Sequence, residues 1–380
     1  MKNKYPFLDG LRTIAILMVF YEHIHYFVLL DHFKPLEEKW TSDLYFYFFN
    51  TWHWDLSGQL IWFDELIHRP STGQGTLGVD LFFVISGFLI TRILAGNCEG
   101  GLQIGRFYVH RFLKIYPSYF ALIIGTFLYL FLIGHSQINY LGKELPWYLL
   151  FFQNVQGQII QSLGHTWSLV VEEQFYFFYP LIAFIVFKSC SSASLRRNAL
   201  MLVAILVIMI APFLRYYYHF ENNTAMATLY HFDALALGCL LALNEGLLIS
   251  IRHLKFLGLA FWLIGASLYV YLMFIFKWAD GWRAWYAYDL SGLAALSIFL
   301  AGYLGVSTFS SLGVIQWIGR RSYGIYLWHL LILTVFLPFR DRMSPGLLIV
   351  LFIPAAILMG IVSSFTVEKY FLNLRQKLIP

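Results

Sequence analysis

Apolar runs of about twenty residues, parted by short polar connections, recur along the whole chain. A helix needs about 20 mainly apolar residues to cross a bilayer core. The pattern predicts an all-α, polytopic membrane protein of about ten spans. They lie near residues 8–30, 77–95, 116–134, 166–187, 199–215, 229–245, 256–276, 286–304, 322–339 and 347–367. The connections divide by charge. With the N-terminus inside, Lys2, Lys4, Arg92, Arg106, Arg111, Lys114, Lys188, Arg196, Arg197, Arg252, Lys255, Arg320, Arg321, Lys369, Arg375 and Lys377 fall on the cytoplasmic side, the majority of the 26 Lys and Arg. The positive-inside rule then expects both termini in the cytoplasm. The longest connection, residues 31–76, is external and rich in Trp and Tyr. It reads either as amphipathic helices lying in the interface or as aromatic platforms for a sugar or lipid-linked acceptor.

The polar positions inside the apolar runs carry the chemistry. In FLDGLRTIAILMVFYEHIHYF, eleven residues separate Arg12 from His23. Eleven steps of about 100° bring both side chains to one helix face, roughly 16 Å apart along the axis. An ionisable group in a membrane helix costs at least about 2.5 kcal/mol if it faces lipid, so this stripe is expected to face a polar cavity. Asp80, Glu172, Glu173 and Asp233 open other spans, and His329 lies midway through the ninth. The predicted topology puts these acids and both histidines in the outer half of the membrane. Arg12, Arg111 and Lys114 lie toward the inner side.

Several of these residues keep two readings. Arg111 and Lys114, one helical turn apart, are either plain positive-inside charge or a grip on phosphates. Asp80 and Asp233 either cap their helices or face the cavity. Tyr326 and His329, one turn apart, are either acceptor contacts or core. Arg12 has Asp9 at i−3 as a possible ion-pair partner. Glu22, next to His23, points about 100° away and is expected to be a poor partner for it. His25 is offset by about 200° from His23 and is expected outside the cavity. The His23-x-His25 spacing has no third ligand, so no metal is expected.

Composition narrows the class. The chain is 59% hydrophobic and 12% charged, with mean hydropathy +0.65; soluble domains carry about 25% charged residues. The net charge of +5 is spread over the loops and speaks to membrane orientation, not to nucleic acid. The first run carries Asp9, Arg12, Glu22 and His23 and lacks a small-residue cleavage site, so no cleavable signal peptide is expected. Cys98, Cys190 and Cys239 lack paired spacing and read as free thiols. No repeat or long soluble segment is apparent.

A histidine base beside a cationic mouth suits acyl transfer from a cytosolic thioester such as acetyl-CoA to a hydroxyl. The motifs resemble acyltransferase family 3, the integral membrane group that includes bacterial O-antigen and other surface-polysaccharide O-acetyltransferases. LDGLRTIAILMVFYEH, GVDLFFVISGFLIT, WSLVVEEQFYFFYP, FDALALGCLLA and SYGIYLWHLLI occur in the family's order. The resemblance implies His23 as general base, with an acyl-histidine relay as the alternative. It implies Arg12, Glu172 and Glu173 in the catalytic site, and Arg111, Lys114 and Tyr116 at the donor. Asp80, Tyr326 and His329 are expected on the acceptor side.

It further implies acyl-CoA as a donor substrate with no bound cofactor. The acceptor is expected to be a saccharide or lipid-linked saccharide, and the setting a bacterial inner membrane. Family members often carry Arg-Arg-x-x-Arg-Ile-x-Pro before the third span. Here His110-Arg111-Phe112-Leu113-Lys114-Ile115-Tyr116-Pro117 keeps one arginine. Some relatives append an extracytoplasmic SGNH-type domain; this chain runs about a dozen residues past its last expected span. A single membrane domain over residues 1–380, with no appended soluble domain, is therefore expected. The competing class is a transporter or flippase of a lipid-linked saccharide, which also needs buried charge in a cavity. Dependence on acyl-CoA separates the two.

Overall fold

A computed structural model describes residues 5–29, 75–96, 104–155, 160–217, 228–275, 284–306 and 312–378, all helical or connecting turns. Residues 31–74, expected to be external, and Cys98 lie outside the described residues; Cys190 and Cys239 are free thiols. The helices are α1 (Pro6–Ile24), α2 (Gly75–Gly96), α3 (Ile104–Leu132), α4 (Gln137–Leu149), α5 (Thr166–Ser189) and α6 (Ala193–Tyr217). They continue as α7 (Phe232–Leu243), α8 (Glu245–Ser250), α9 (Lys255–Val270) and α10 (Ala284–Tyr303). The last four are α11 (Gly313–Gly319), α12 (Ser322–Phe336), α13 (Pro345–Ser363) and α14 (Lys369–Leu378).

Seven helical stretches among the described residues are long and apolar enough to cross a membrane: Leu77–Ala95, Ile104–Leu132, Thr166–Ser189, Ala193–Tyr217, Lys255–Met273, Ser322–Arg340 and Pro345–Lys377. Three more of the expected spans form helices outside that set, namely α1, α7 and α10. Helix α7 is only 12 residues long, and α1 carries Asp9, Arg12 and Glu22 within its 19 residues.

Helix α2 is the hub, packed on α1, α5, α7 and α10. Its apolar stretch is 72% buried, against 22% for the stretches of α6 and α9, whose outer faces suit lipid. A helix apolar all round belongs in such a centre. Gly87 and Gly238 set the crossing of α2 and α7. A Cβ on Gly87 would lie 1.9 Å from Leu235 O, and one on Gly238 would lie 2.1 Å from Val84 O. Membrane helices use small residues in this way to bring backbones together. At one end of the bundle, Glu245 ties four helical ends. It takes Arg92 Nε at 2.9 Å, Tyr303 Oη at 3.2 Å, and the hydroxyl of Tyr5.

Candidate active site

Three helices turn matching stripes toward one chamber. On α2 the stripe is Val79, Phe82, Ser86 and Leu89; on α5 it is Ser168, Leu169, Glu172 and Tyr176; on α12 it is Ser322, Tyr323 and Tyr326. Steps of three and four residues keep each set on one helix face. Helices α1 and α3 add Arg12, Arg111 and Lys114. The chamber encloses about 130 Å³. It is a narrow space, which suits a slender ligand. From Val79 to Leu89 it runs about 15 Å at the helical rise.

One end is cationic. Arg12 donates to Asp9 Oδ1 at 3.0 Å, and Asp9 also lies 3.7 Å from Arg320. Arg12 is thus held by the i−3 carboxylate while its side chain remains 26% exposed. The guanidinium of Arg111 rests over the Tyr176 ring at 4.2 Å. Neither Arg111 nor Lys114 has a carboxylate within ion-pair distance among the described residues, and Lys114 is open to the chamber. Glu172 sits among these cations, accepting from Ser86 Oγ at 2.7 Å and from Tyr176 Oη at 3.3 Å. The topology had put both glutamates in the outer layer with the histidines. The structure instead turns Glu172 into the cationic end, because its register on α5 faces the shared cavity.

The other end is closed by Tyr326. Its hydroxyl donates to His165 O at 2.7 Å and lies 2.5 Å from Ser168 Oγ. Past it, the stripes of α5 and α12 each continue one turn into a histidine, His165 and His329. The ring centroids of His165 and His329 are 4.7 Å apart, and those of His329 and His23 are 4.9 Å apart. Each imidazole is tied by one nitrogen to a main-chain carbonyl. His23 Nδ1 donates to Val19 O at 2.8 Å, His165 Nε2 donates to Leu327 O at 3.0 Å, and His329 Nδ1 donates to Tyr326 O. A neutral imidazole has one N–H, so these bonds leave a lone pair on His23 Nε2, His329 Nε2 and His165 Nδ1. For His165, which precedes the α5 span, burial and the neighbouring His23 hold the imidazole below its ordinary titration range. Glu22 corrects its expectation: Oε2 lies 3.8 Å from His23 Nδ1, close enough to stabilise an imidazolium.

The remaining sequence candidates go elsewhere. Glu173 and Tyr116 line a groove on the far side of Arg111, where Tyr116 packs on Phe151 at 4.9 Å. Asp80 and Asp233 do not reach the chamber. Arg215, 1% exposed, donates to Asp233 Oδ2 at 2.6 Å, to Asp289 and to Tyr230 O. Asp80, 2% exposed, belongs to the same charge group. His25 is turned away and stacks on Tyr21 at 6.2 Å. Among the described residues no group of three His, Cys, Asp or Glu is placed to hold a metal ion.

Sequence reasoning missed His165 and Arg215. The signal for His165 was available, since it lies three or four residues before Ser168 and Leu169 on the stripe that ends at Glu172 and Tyr176. No spacing signals Arg215, whose partners come from other helices.

Residues 5–368 match the family profile described as "Acyltransferase domain", so the chain belongs to acyltransferase family 3. It is similar to the peptidoglycan O-acetyltransferase OatA of Listeria monocytogenes, 28% identical over 308 residues, which are 72% of this chain and 47% of that protein. It is also similar to the O-acetyltransferase OatA of Staphylococcus aureus, 26% identical over 283 residues, 67% of this chain and 45% of that one. YrhL of Bacillus subtilis is 26% identical over 371 residues, 90% of this chain and 50% of its own length. The chain thus spans about half the length of the curated relatives it matches. No solved structure matches it.

Proposed function

We propose that this chain transfers an acetyl group from cytosolic acetyl-CoA to a hydroxyl of a cell-wall saccharide. It would act in a bacterial cytoplasmic membrane, with His23 as the general base. One observation carries the reading. Among the described residues Arg111 and Lys114 have no carboxylate within ion-pair distance; they share with Glu172 a chamber two of whose helical stripes run on into His165 and His329, with His23 against His329. Arg111 and Lys114 against the single carboxylate of Glu172 leave the chamber an excess of positive charge, which the phosphates of acyl-CoA would balance. Peptidoglycan is the acceptor in the names of two relatives, OatA of Listeria monocytogenes and YrhL of Bacillus subtilis, which makes a cell-wall saccharide the leading acceptor class here.

In this mechanism the phosphates sit against Arg12, Arg111 and Lys114, and the thioester reaches the Tyr326 end. His23 Nε2 takes the acceptor's hydroxyl proton while the oxygen bonds the acyl carbon. The carbon–sulfur bond breaks, and the departing thiolate receives that proton from the His23 imidazolium. The Val19 carbonyl fixes the tautomer that leaves Nε2 unprotonated, and Glu22 steadies the imidazolium formed.

The test uses wild type and His23→Ala in lipid vesicles with labelled acetyl-CoA and peptidoglycan-derived saccharide. Label reaching saccharide only with wild type supports the reading. Saccharide crossing the bilayer, with no label transferred from any acyl-CoA, would replace it with a transporter.

A further inference from the structure

The chamber has unlike ends. Arg12, Arg111 and Lys114 gather at one, where α1, α3 and α12 begin. Val79, Phe82 and Leu169 wall the other, where α2 and α5 begin. The apolar end is also the end next to the imidazoles. Phe82 meets the Tyr326 ring edge-on at 5.9 Å, and the Tyr326 ring lies 5.2 Å from His165 and 5.4 Å from His329. Two independent features therefore mark the same place: the apolar lining and the proximity of bases. Behind this end the walls are fixed. Val79 and Leu169 are each 4% exposed, and the hydroxyl of Tyr326 is tied to Ser168 and His165. Phe82 alone of the three is half-buried, with its ring turned to the chamber.

We propose that Phe82, backed by Val79 and Leu169, is the wall that receives the methyl end of the acyl group and restricts the donor to short chains such as acetyl. The inference rests on acyl-CoA being the donor and adds which acyl groups are admitted and by which residues. The physical basis is packing. A close-packed wall with fixed neighbours does not yield to extra methylenes, and a single methylene in an apolar pocket changes selectivity by about 10–200-fold. Phe82 acts on chain length without touching the proton, so a change here alters preference and leaves the imidazoles in place.

Calorimetric titration of the purified full chain with CoA, acetyl-CoA, butyryl-CoA and hexanoyl-CoA tests this without knowledge of the acceptor. Wild type should bind CoA and acetyl-CoA within about threefold of each other and hexanoyl-CoA at least about tenfold more weakly. Phe82→Ala should bring hexanoyl-CoA to within about threefold of acetyl-CoA. Leu169→Ala opens the same wall from α5 and should shift preference in the same direction, which guards against a folding defect in one variant. Equal affinity of wild type for acetyl and hexanoyl thioesters would overturn the proposal, as would an unchanged preference in both folded variants. Absence of binding to any CoA compound would overturn the donor reading itself, a distinguishable result.

Discussion

Lys114→Met separates donor binding from structural support. Lys114 and Arg111 lie three residues apart on α3, which puts their Cβ atoms about 5–6 Å apart. Two like charges at about 6 Å repel by about 3 kcal/mol at an effective dielectric near 20, and by less than about 1 kcal/mol at that of water. Lys114 opens to a narrow chamber inside the bundle and not to bulk water, so the repulsion lies between these figures. Removing its charge while keeping an apolar stem should leave the ligand-free protein unchanged or more stable by up to about 3 kcal/mol. Donor affinity should move the other way. A hydrogen bond to a charged group contributes about 1.5–3 kcal/mol, which is roughly a tenfold to hundredfold loss at 1.4 kcal/mol per decade. Calorimetric titration with CoA gives the affinity, and thermal unfolding with and without CoA gives the linked stabilisation. CoA affinity within about twofold of wild type would refute the chamber as the phosphate site. A fall of several degrees in Tm without ligand would show instead that Lys114 supports the fold.

Two further predictions concern the scaffold. Gly238→Ala places a Cβ 2.1 Å from Val84 O and must part α2 from α7; overpacking of this kind costs about 1–3 kcal/mol, read as a lower Tm in detergent. Arg215→Met leaves Asp233 and Asp289 without their cation, and breaking a buried pair from one side costs about 3–5 kcal/mol. Adding Asp233→Asn to Arg215→Met should recover part of that loss, whereas independent additive losses would show that the two do not form one group.

How much of this was legible in the chain varies by residue. Arg12 and His23 could be placed on one stripe because both lie on a single helix, where spacing fixes direction. The same arithmetic set His25 aside. What spacing cannot give is the neighbour contributed by another helix. Glu172 was assigned to the wrong end because its depth was read from topology, while its direction is decided by the cavity it shares with Arg111. Asp80 looked like an acceptor contact in its motif, yet it joins the charge group of Arg215, which lies 135 residues later in the chain. Glu22 reached His23 because two adjacent side chains can bend toward each other at 3.8 Å even when their helix directions diverge.

The charge group around Arg215 also bears on how the protein enters its membrane. An Asp or Arg opposes insertion by up to about 2.5–3.5 kcal/mol at a helix centre, and by less toward a helix end. Arg215 lies near the end of α6, and Asp233 opens α7 directly after it. Synthesised in succession, the pair can enter the bilayer as one neutral hairpin, with its ions already matched. Asp289 arrives later on α10 and meets an arginine already seated. For Asp233 and Asp289 the order of residues in the chain is then also an order of assembly, in which the cation is made before the acids it receives.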